Sequence, residues 1–341
     1  MEIIIPAAGL STRFPNMRPK YTLTDFSGKM MFEKSILPFV GQHHVTMGVL
    51  QEHEAQYHVS KYVQQTYGDQ ISVVVLPERT TGPAHTVYEI LKQIGLDHDQ
   101  EIFIKDCDSW FDHEYQSGNY VCVSSIKDHE VLKRLGSKSF VIANDQGIIN
   151  SIIEKQVVSD KFCVGGYKFE SAALFVAAFE QLTASHVCEI FVSHVIEHCL
   201  NQQHIFKESP VQNYVDVGTA EDWFDYNDRA VIFCDIDGTL VHAQPRHAFS
   251  QTPVPLEQNV KRLKQMAAEG SLIIFTTARP ESLTDNIASM LADLGFENFR
   301  LIAGLPNTKR ILINDYNEAN PYPRAIAINL KRDHDNLKDY L

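Results

Sequence analysis

Three sets of residues have the types and spacing that phosphate chemistry needs. The first follows the apolar run Ile3 to Ile5, where Ala7, Ala8, Gly9, Leu10, Ser11 and Thr12 lead into Arg13, with Pro19-Lys20 shortly after. Small residues let a backbone come close to a ligand, and successive free N–H groups in such a turn make an anion-binding concavity. Arg13 can fork two donors onto a phosphate, and Lys20 adds a compact positive charge. The second set ends an apolar stretch, Glu101 to Lys105, in Asp106 and Asp108. Alternation puts both on one side of the strand, and carboxylates at a strand tip are hard-oxygen ligands suited to Mg²⁺ beside phosphates. In the third, an apolar strand from Ala230 to Cys234 delivers Asp235 and Asp237, alternate in sequence, into a Gly238-Thr239 turn.

Positioning these groups requires strands that end side by side. After Lys20, residues 30–40 read as a helix packed behind the small-residue loop. Val45 to Leu50 reads as a strand and His53 to Thr66 as a helix with Tyr57, Val59 and Val63 inward; Ile71 to Leu76 is another strand. This β-α-β-α alternation predicts an α/β fold with a mixed, mostly parallel sheet. Thr80 to Val87 then forms a turn beyond the carboxyl end of the Ile71–Leu76 strand, where open α/β sheets bind ligands. A polar and aromatic helix end at Trp223 to Arg229 reads as a joint. At 341 residues the chain suits two domains, placed here at 1–228 and 229–341.

The stretch from Ala7 to Arg13 with Pro19-Lys20 resembles the nucleotide-binding signature of the sugar-phosphate nucleotidyltransferases. Leu10-Ser11 stands where that family commonly has x-Gly, and Pro6-Ala7-Ala8 where many members have Leu-Ala-Gly. The resemblance implies a Rossmann-like domain in which Gly82 and Ala84 contact the base and ribose. It also implies one metal-holding aspartate after the fourth or so strand. The pattern Asp-x-x-Phe favours Asp108 for that role, with Asp106 either supporting it or serving as the ligand itself. Glu154-Lys155 looks like the family's Glu-Lys pair, whose lysine meets the acceptor's phosphate. Gly165 and Gly166 resemble the glycines that let the acceptor approach a strand, and Asp216, in Asp216-Val217-Gly218-Thr219, takes the place of the second metal ligand. The matching stretches keep the family's order from Ile3 to about Asp228.

The run Asp235-Ile236-Asp237-Gly238-Thr239-Leu240 resembles the first motif of the haloacid dehalogenase-like (HAD) superfamily. That resemblance makes Asp235 the nucleophile that forms an aspartyl-phosphate and Asp237 the group that protonates the leaving oxygen and activates water. Mg²⁺ there offsets the repulsion between two anions. Ser271 to Arg279 fits the second motif, with Thr277 as phosphate donor, and Lys309 fits the third motif's cation. Ile311 to Asp315 fits the fourth, a strand ending in a metal-binding acid, Asp315, with Asn314 where many relatives carry another acid. The implied metal set is Asp235, Asp237 and Asp315. No stretch between these motifs can hold another domain, so a small capless HAD-like α/β domain is expected.

His194-Val195-Ile196-Glu197-His198 matches a zinc-peptidase pattern, with His186, Cys188 and Cys199 nearby. A catalytic zinc needs a third ligand and an open position, and the flanking Ile190, Phe191, Val195 and Ile196 read as an amphipathic core helix. The formal charge of −13 argues against sequence-independent nucleic-acid binding. No apolar run is long enough for a membrane span, and Met1-Glu2-Ile3 lacks the positive region of a signal peptide. Six cysteines without CxxC spacing fit reduced thiols in a cytoplasmic protein.

The expectation is a bifunctional, Mg²⁺-dependent enzyme. One domain transfers a nucleotidyl group from an NTP to a small phosphorylated acceptor and releases pyrophosphate; the other hydrolyses a phosphomonoester. The pairing suits precursors of surface polysaccharide, by resemblance alone. A non-sugar acceptor such as phosphocholine or a polyol phosphate with CTP is a rival, as is a phosphatase whose first domain senses nucleotide. A homo-oligomer is left open.

Overall fold

A computed structural model describes residues 1–128, 135–184, 189–249, 251–314 and 325–341. The chain divides into two compact units, Met1–Phe224 and Asp225–Leu341.

The first unit runs β1 (Glu2–Pro6), α1 (Met31–Ile36), β2 (His44–Leu50), α2 (Gln51–Tyr57), α3 (Val59–Tyr67), β3 (Ile71–Leu76) and α4 (Pro83–Ile94). It continues through β4 (Ile102–Lys105), β5 (Ser109–Asp112), β6 (Asn119–Ser125), β7 (Phe140–Ala143), β8 (Ile149–Ile153) and β9 (Lys161–Phe169). After α5 (Ala172–Thr183) and α6 (Val192–Asn201) come β10 (Phe206–Pro210), β11 (Gln212–Asp216) and α7 (Ala220–Asn227), which crosses into the second unit. The main sheet has the order β10-β6-β9-β4-β1-β2-β3, with β7 and β8 attached beside β9. Pairings β4-β1, β1-β2, β2-β3 and β10-β6 are parallel, while β9 is antiparallel to β4 and β6. The sheet is thus mixed and mostly parallel, as the β-α alternation requires.

Period-two alternation sorts β1 between two cores. Ile4 faces a layer with Val87, Ile90, Phe175 and Ile196, contributed by α4, α5 and α6. Ile3 and Ile5 face the other side, with Phe32 and Ile36 of α1 and Val63 of α3. Burial on both faces explains why β1 and β4 read as continuous apolar runs. Two helices differ from expectation. The helix placed at 30–40 closes at Ile36, and the one placed at His53 to Thr66 is two helices, because His58 adopts a left-handed conformation with φ 51°.

The second unit is a parallel three-stranded sheet, β12 (Val231–Asp235), β13 (Leu272–Thr276) and β14 (Phe299–Ile302) in that order, with α8 (Glu257–Ala268) and α9 (Thr284–Asp293). Ile236, Leu263, Phe275, Ile287 and Leu291 form its core. The strand expected at 311–314 does not form. Ile311, Leu312 and Ile313 are 71%, 54% and 91% exposed, and Arg310 just before them bonds back to the carbonyls of Pro306 and Thr308 at 3.1 Å and 2.6 Å. Asp315 lies outside the described residues, as do His186 and Cys188. No described helix is long and apolar enough to cross a membrane.

Candidate functional site

In the first unit, strand ends and the loops after them enclose a cleft of about 470 Å³. Its floor begins where β1 stops. Ala7 donates its N–H to the Gly48 carbonyl at 3.0 Å, and Ser11, held left-handed at φ 53°, accepts the Lys20 N–H on its hydroxyl at 2.9 Å. The loop is thereby pinned to the segment that carries Lys20. A Cβ on Gly9 would meet nothing within 4 Å, so the space beside it is open. Gly9, Leu10, Ser11, Thr12 and Arg13 line the cleft; Ala7 does so at its buried end, whereas Ala8 packs into the core.

The carboxylates arrive from two other directions. The β5–β11 pairing sets Asp216 opposite Ser109, and Val217 donates its N–H to the Asp108 carbonyl at 2.9 Å. Lys20 Nζ donates to Asp108 Oδ2 at 2.5 Å, with Arg13 Nη2 at 3.7 Å from the same oxygen. Burial alone would raise the Asp108 pKa, but Lys20 and Arg13 outweigh it and hold the carboxyl well below the usual range. Asp106 goes the other way, raised by burial and by the Asp108 charge. Beneath both, buried Lys105 donates to the carbonyls of Asp106 and Ser109, each at 2.7 Å, and burial lowers its pKa to about 8.

A Cβ built on Gly218 would stand 3.0 Å from Asp216 Oδ1, 3.3 Å from Asp108 Oδ2 and 3.5 Å from Arg13 Nη1. Glycine keeps that space clear between two carboxylates. Among the described residues no cluster of three or more His, Cys, Asp or Glu side chains could hold a metal. A pair of carboxylates nonetheless fits Mg²⁺, which is usually bound by one or two and completed by water and substrate phosphates. Asp108 and Asp216 are the two carboxylates that face one point here, beside Gly218. Asp106 Oδ2 would instead lie 2.6 Å from a Cβ on Gly165, which has φ 83°.

The other sequence-predicted positions divide. Gly82 and Gly165 line the cleft. Ala84 is fully buried, and its N–H points to the Ile190 carbonyl at 3.3 Å. Gly166 is a packing glycine whose Cβ would strike the Phe111 ring at 2.7 Å. Lys155 does not line the cleft; its ammonium sits 4.0 Å above the Phe191 ring. Residues that the sequence did not single out are also here. Lys138 Nζ donates to Asp216 Oδ2 at 2.6 Å and to Tyr214 Oη at 2.9 Å. Glu154, the acid of the Glu154-Lys155 pair read from the sequence, lines the same cleft and accepts from the hydroxyls of Ser139 and Ser193, the latter at 2.6 Å. The signal for Tyr214 was its place two residues before Asp216, on the same strand face; nothing in Gly136-Ser137-Lys138 marks the lysine.

In the second unit, β12 ends at Asp235, in register with Thr276 of β13. Gly238, at φ 87°, makes the turn that follows and donates its N–H to the Val241 carbonyl at 2.7 Å. Asp237 is gripped by Arg279 through Nε–Oδ2 at 2.9 Å and Nη2–Oδ1 at 2.6 Å. Thr277 is buried with its hydroxyl 3.4 Å from Asp237 Oδ2, and it accepts the Arg279 N–H at 3.0 Å. Burial and the Asp237 charge raise the Asp235 pKa, against Arg310 and Arg332. Lys309 is exposed. Arg279 takes one acceptor site on each Asp237 oxygen and fixes the direction of the carboxylate. A cleft of about 310 Å³ borders Arg279, Phe249 and Met290 rather than Asp235.

Residues 232–301 match the family of haloacid dehalogenase-like hydrolases. No match to a curated protein is found. The nucleoside-diphosphate-sugar pyrophosphorylase from Vibrio cholerae RC9 is similar in structure, with TM-score 0.57 and 20% identity over 65% of this chain and 98% of that one. The inositol-1-phosphate CTP transferase from T. maritima has TM-score 0.52 and 18% identity over 65% and 90%. The N-terminal part therefore has the fold of the sugar nucleotidyltransferases, and a HAD-like hydrolase segment follows it.

Proposed function

We propose that the chain is a two-site enzyme, a nucleotidyltransferase for a sugar phosphate followed by a phosphomonoesterase. The observation that carries the first half is the meeting, in one cleft, of the small-residue loop, Arg13 and Lys20 with the facing carboxylates Asp108 and Asp216. Arg13 and the loop's N–H groups bind and orient the triphosphate of an NTP. Lys20 neutralises charge beside them, while Gly82 and Thr80 border the nucleoside. An oxygen of the acceptor's phosphate attacks the α-phosphorus, and the bond to the leaving pyrophosphate breaks. Positioning and charge stabilisation supply the rate. Asp108 and Asp216 would hold Mg²⁺, which when bound screens the repulsion between the two phosphates.

In the second unit, Asp235 attacks the phosphorus of a phosphomonoester, and the aspartyl-phosphate formed is then hydrolysed. Asp237 is oriented by Arg279, and a lone pair that the arginine leaves free carries the proton passed to the leaving oxygen. The product class we assign is a nucleotide-activated sugar, in keeping with the structural likeness to a Vibrio cholerae protein named for nucleoside-diphosphate sugars; its use in surface polysaccharide rests on the family resemblance alone. The test is a screen of four NTPs against sugar and alcohol phosphates with pyrophosphate as readout. A sugar phosphate should give release that Asp108→Asn abolishes; release with an alcohol phosphate alone would overturn the sugar assignment.

A further inference from the structure

We propose that Lys138 is the cation that meets the acceptor's phosphate, held in reserve by Asp216 until that carboxylate engages a divalent cation. The inference rests on the transferase reading of the cleft. Lys138 lines the cleft, yet its side chain is only 10% exposed. Its ammonium lies 5.4 Å and 5.3 Å from the ring centroids of Phe162 and Tyr214. The rings flank the ammonium, and a flexible four-carbon stem lets it turn from Asp216 to another anion in the cleft.

The contacts form a row. Lys20 holds Asp108, Asp108 and Asp216 face one point beside Gly218, and Lys138 holds Asp216. Two nearby carboxylates repel, and here each is neutralised by its own lysine, Lys20 on Asp108 Oδ2 and Lys138 on Asp216 Oδ2. A divalent cation between them supplies that neutralisation from the middle, which leaves both ammonium groups seeking another anion. A buried ammonium left unpaired is costly. Lys20 is tied to the phosphate loop through Ser11, so its natural anion is the nucleotide. Lys138 belongs to the other end. Its carbonyl accepts the Lys155 N–H at 3.1 Å, and Ser139 beside it bonds Glu154. The anion delivered at that end is the acceptor's phosphate. Lys155, the residue that the family pattern assigns to it, is not itself in the cleft lining; its ammonium sits 4.0 Å above the ring of Phe191, which is, so the two lysines are rivals that the kinetics must separate.

The first experiment needs no turnover. The full-length protein is treated with a lysine-acylating reagent, and labelling at Lys138 is quantified by mass spectrometry. Labelling should be slow without metal, rise about tenfold with Mg²⁺ alone, and fall again when inorganic phosphate is added with Mg²⁺. Asp216→Asn should raise the metal-free rate in the same way. The second is kinetic. Lys138→Met should raise the acceptor KM about tenfold or more with the NTP KM within about twofold, and Lys138→Arg should recover part of it. Labelling indifferent to Mg²⁺ and to Asp216→Asn overturns the proposal. So does an acceptor KM that rises in Lys155→Met and not in Lys138→Met. Failure of every NTP and acceptor to yield pyrophosphate, with the labelling pattern intact, sinks the transferase reading and leaves a metal-released anion site standing.

Discussion

Arg279 holds Asp237 with two parallel hydrogen bonds, Nε to Oδ2 at 2.9 Å and Nη2 to Oδ1 at 2.6 Å, while Phe249 covers the guanidinium at 4.7 Å. Arg279 is itself 3% exposed. The pair fixes the carboxylate's orientation relative to Asp235, and a lysine cannot reproduce a planar fork. Arg279→Lys in the full-length protein should lower kcat for p-nitrophenyl phosphate about tenfold or more, with a smaller change in KM. Wild-type turnover in that variant would remove Asp237 orientation from the mechanism.

Two glycines of the first unit should respond oppositely to the same added methyl. At Gly165 it meets a left-handed backbone and a carboxylate oxygen of Asp106 at 2.6 Å. Gly165→Ala should destabilise the unit by about 1–3 kcal/mol and disturb the acids. At Gly9 the methyl meets no protein atom, so Gly9→Ala should change stability by less than about 0.5 kcal/mol. Its effect should be weaker NTP binding, because the methyl stands where the loop backbone approaches phosphate. Denaturant unfolding and an NTP titration separate the two, and equal stability losses would contradict the assignment of Gly9.

His113 gives a pH signature. Burial and the nearby Lys105 charge lower its pKa to about 4, and it bonds Tyr120 through Nε2 at 3.0 Å. Its ordinary value is about 6.5. Between those values the unfolded chain binds a proton that the folded chain refuses, so this contribution to stability is lost as pH falls from 6.5 towards 4. The stability of the wild type minus that of His113→Phe should decline over that window and stay level above it. A difference that is flat across the window would contradict a buried, neutral His113.

How much was legible depended on whether position followed from local pattern. β1, β4, β12 and β13 were readable because apolar runs bounded by small or acidic residues leave few alternatives. The loop at Ala7 to Arg13 and the strand-end acids were readable for the same reason. Lys138 was not, because its place depends on β7 pairing with β8 and on Asp216 arriving from a distant strand. Arg279 sat in plain view beside Thr277, but its partner Asp237 is remote in sequence. The apolar run at Ile311 to Ile313 matched a strand pattern, yet all three side chains are exposed and no strand forms there. His58 offered only the weak preference of histidine for the left-handed region as a sign of the turn that splits α2 from α3.

The central claim, two independent sites in one chain, is tested most directly by reciprocal substitution. Asp108→Asn and Asp235→Asn are each made in the full-length protein, and NTP-dependent pyrophosphate release and phosphomonoester hydrolysis are measured in both. Asp108→Asn should cut pyrophosphate release by about a hundredfold or more and leave hydrolysis within about twofold. Asp235→Asn should do the reverse. Loss of both activities from either single substitution, or of neither from both, would contradict the two-site reading.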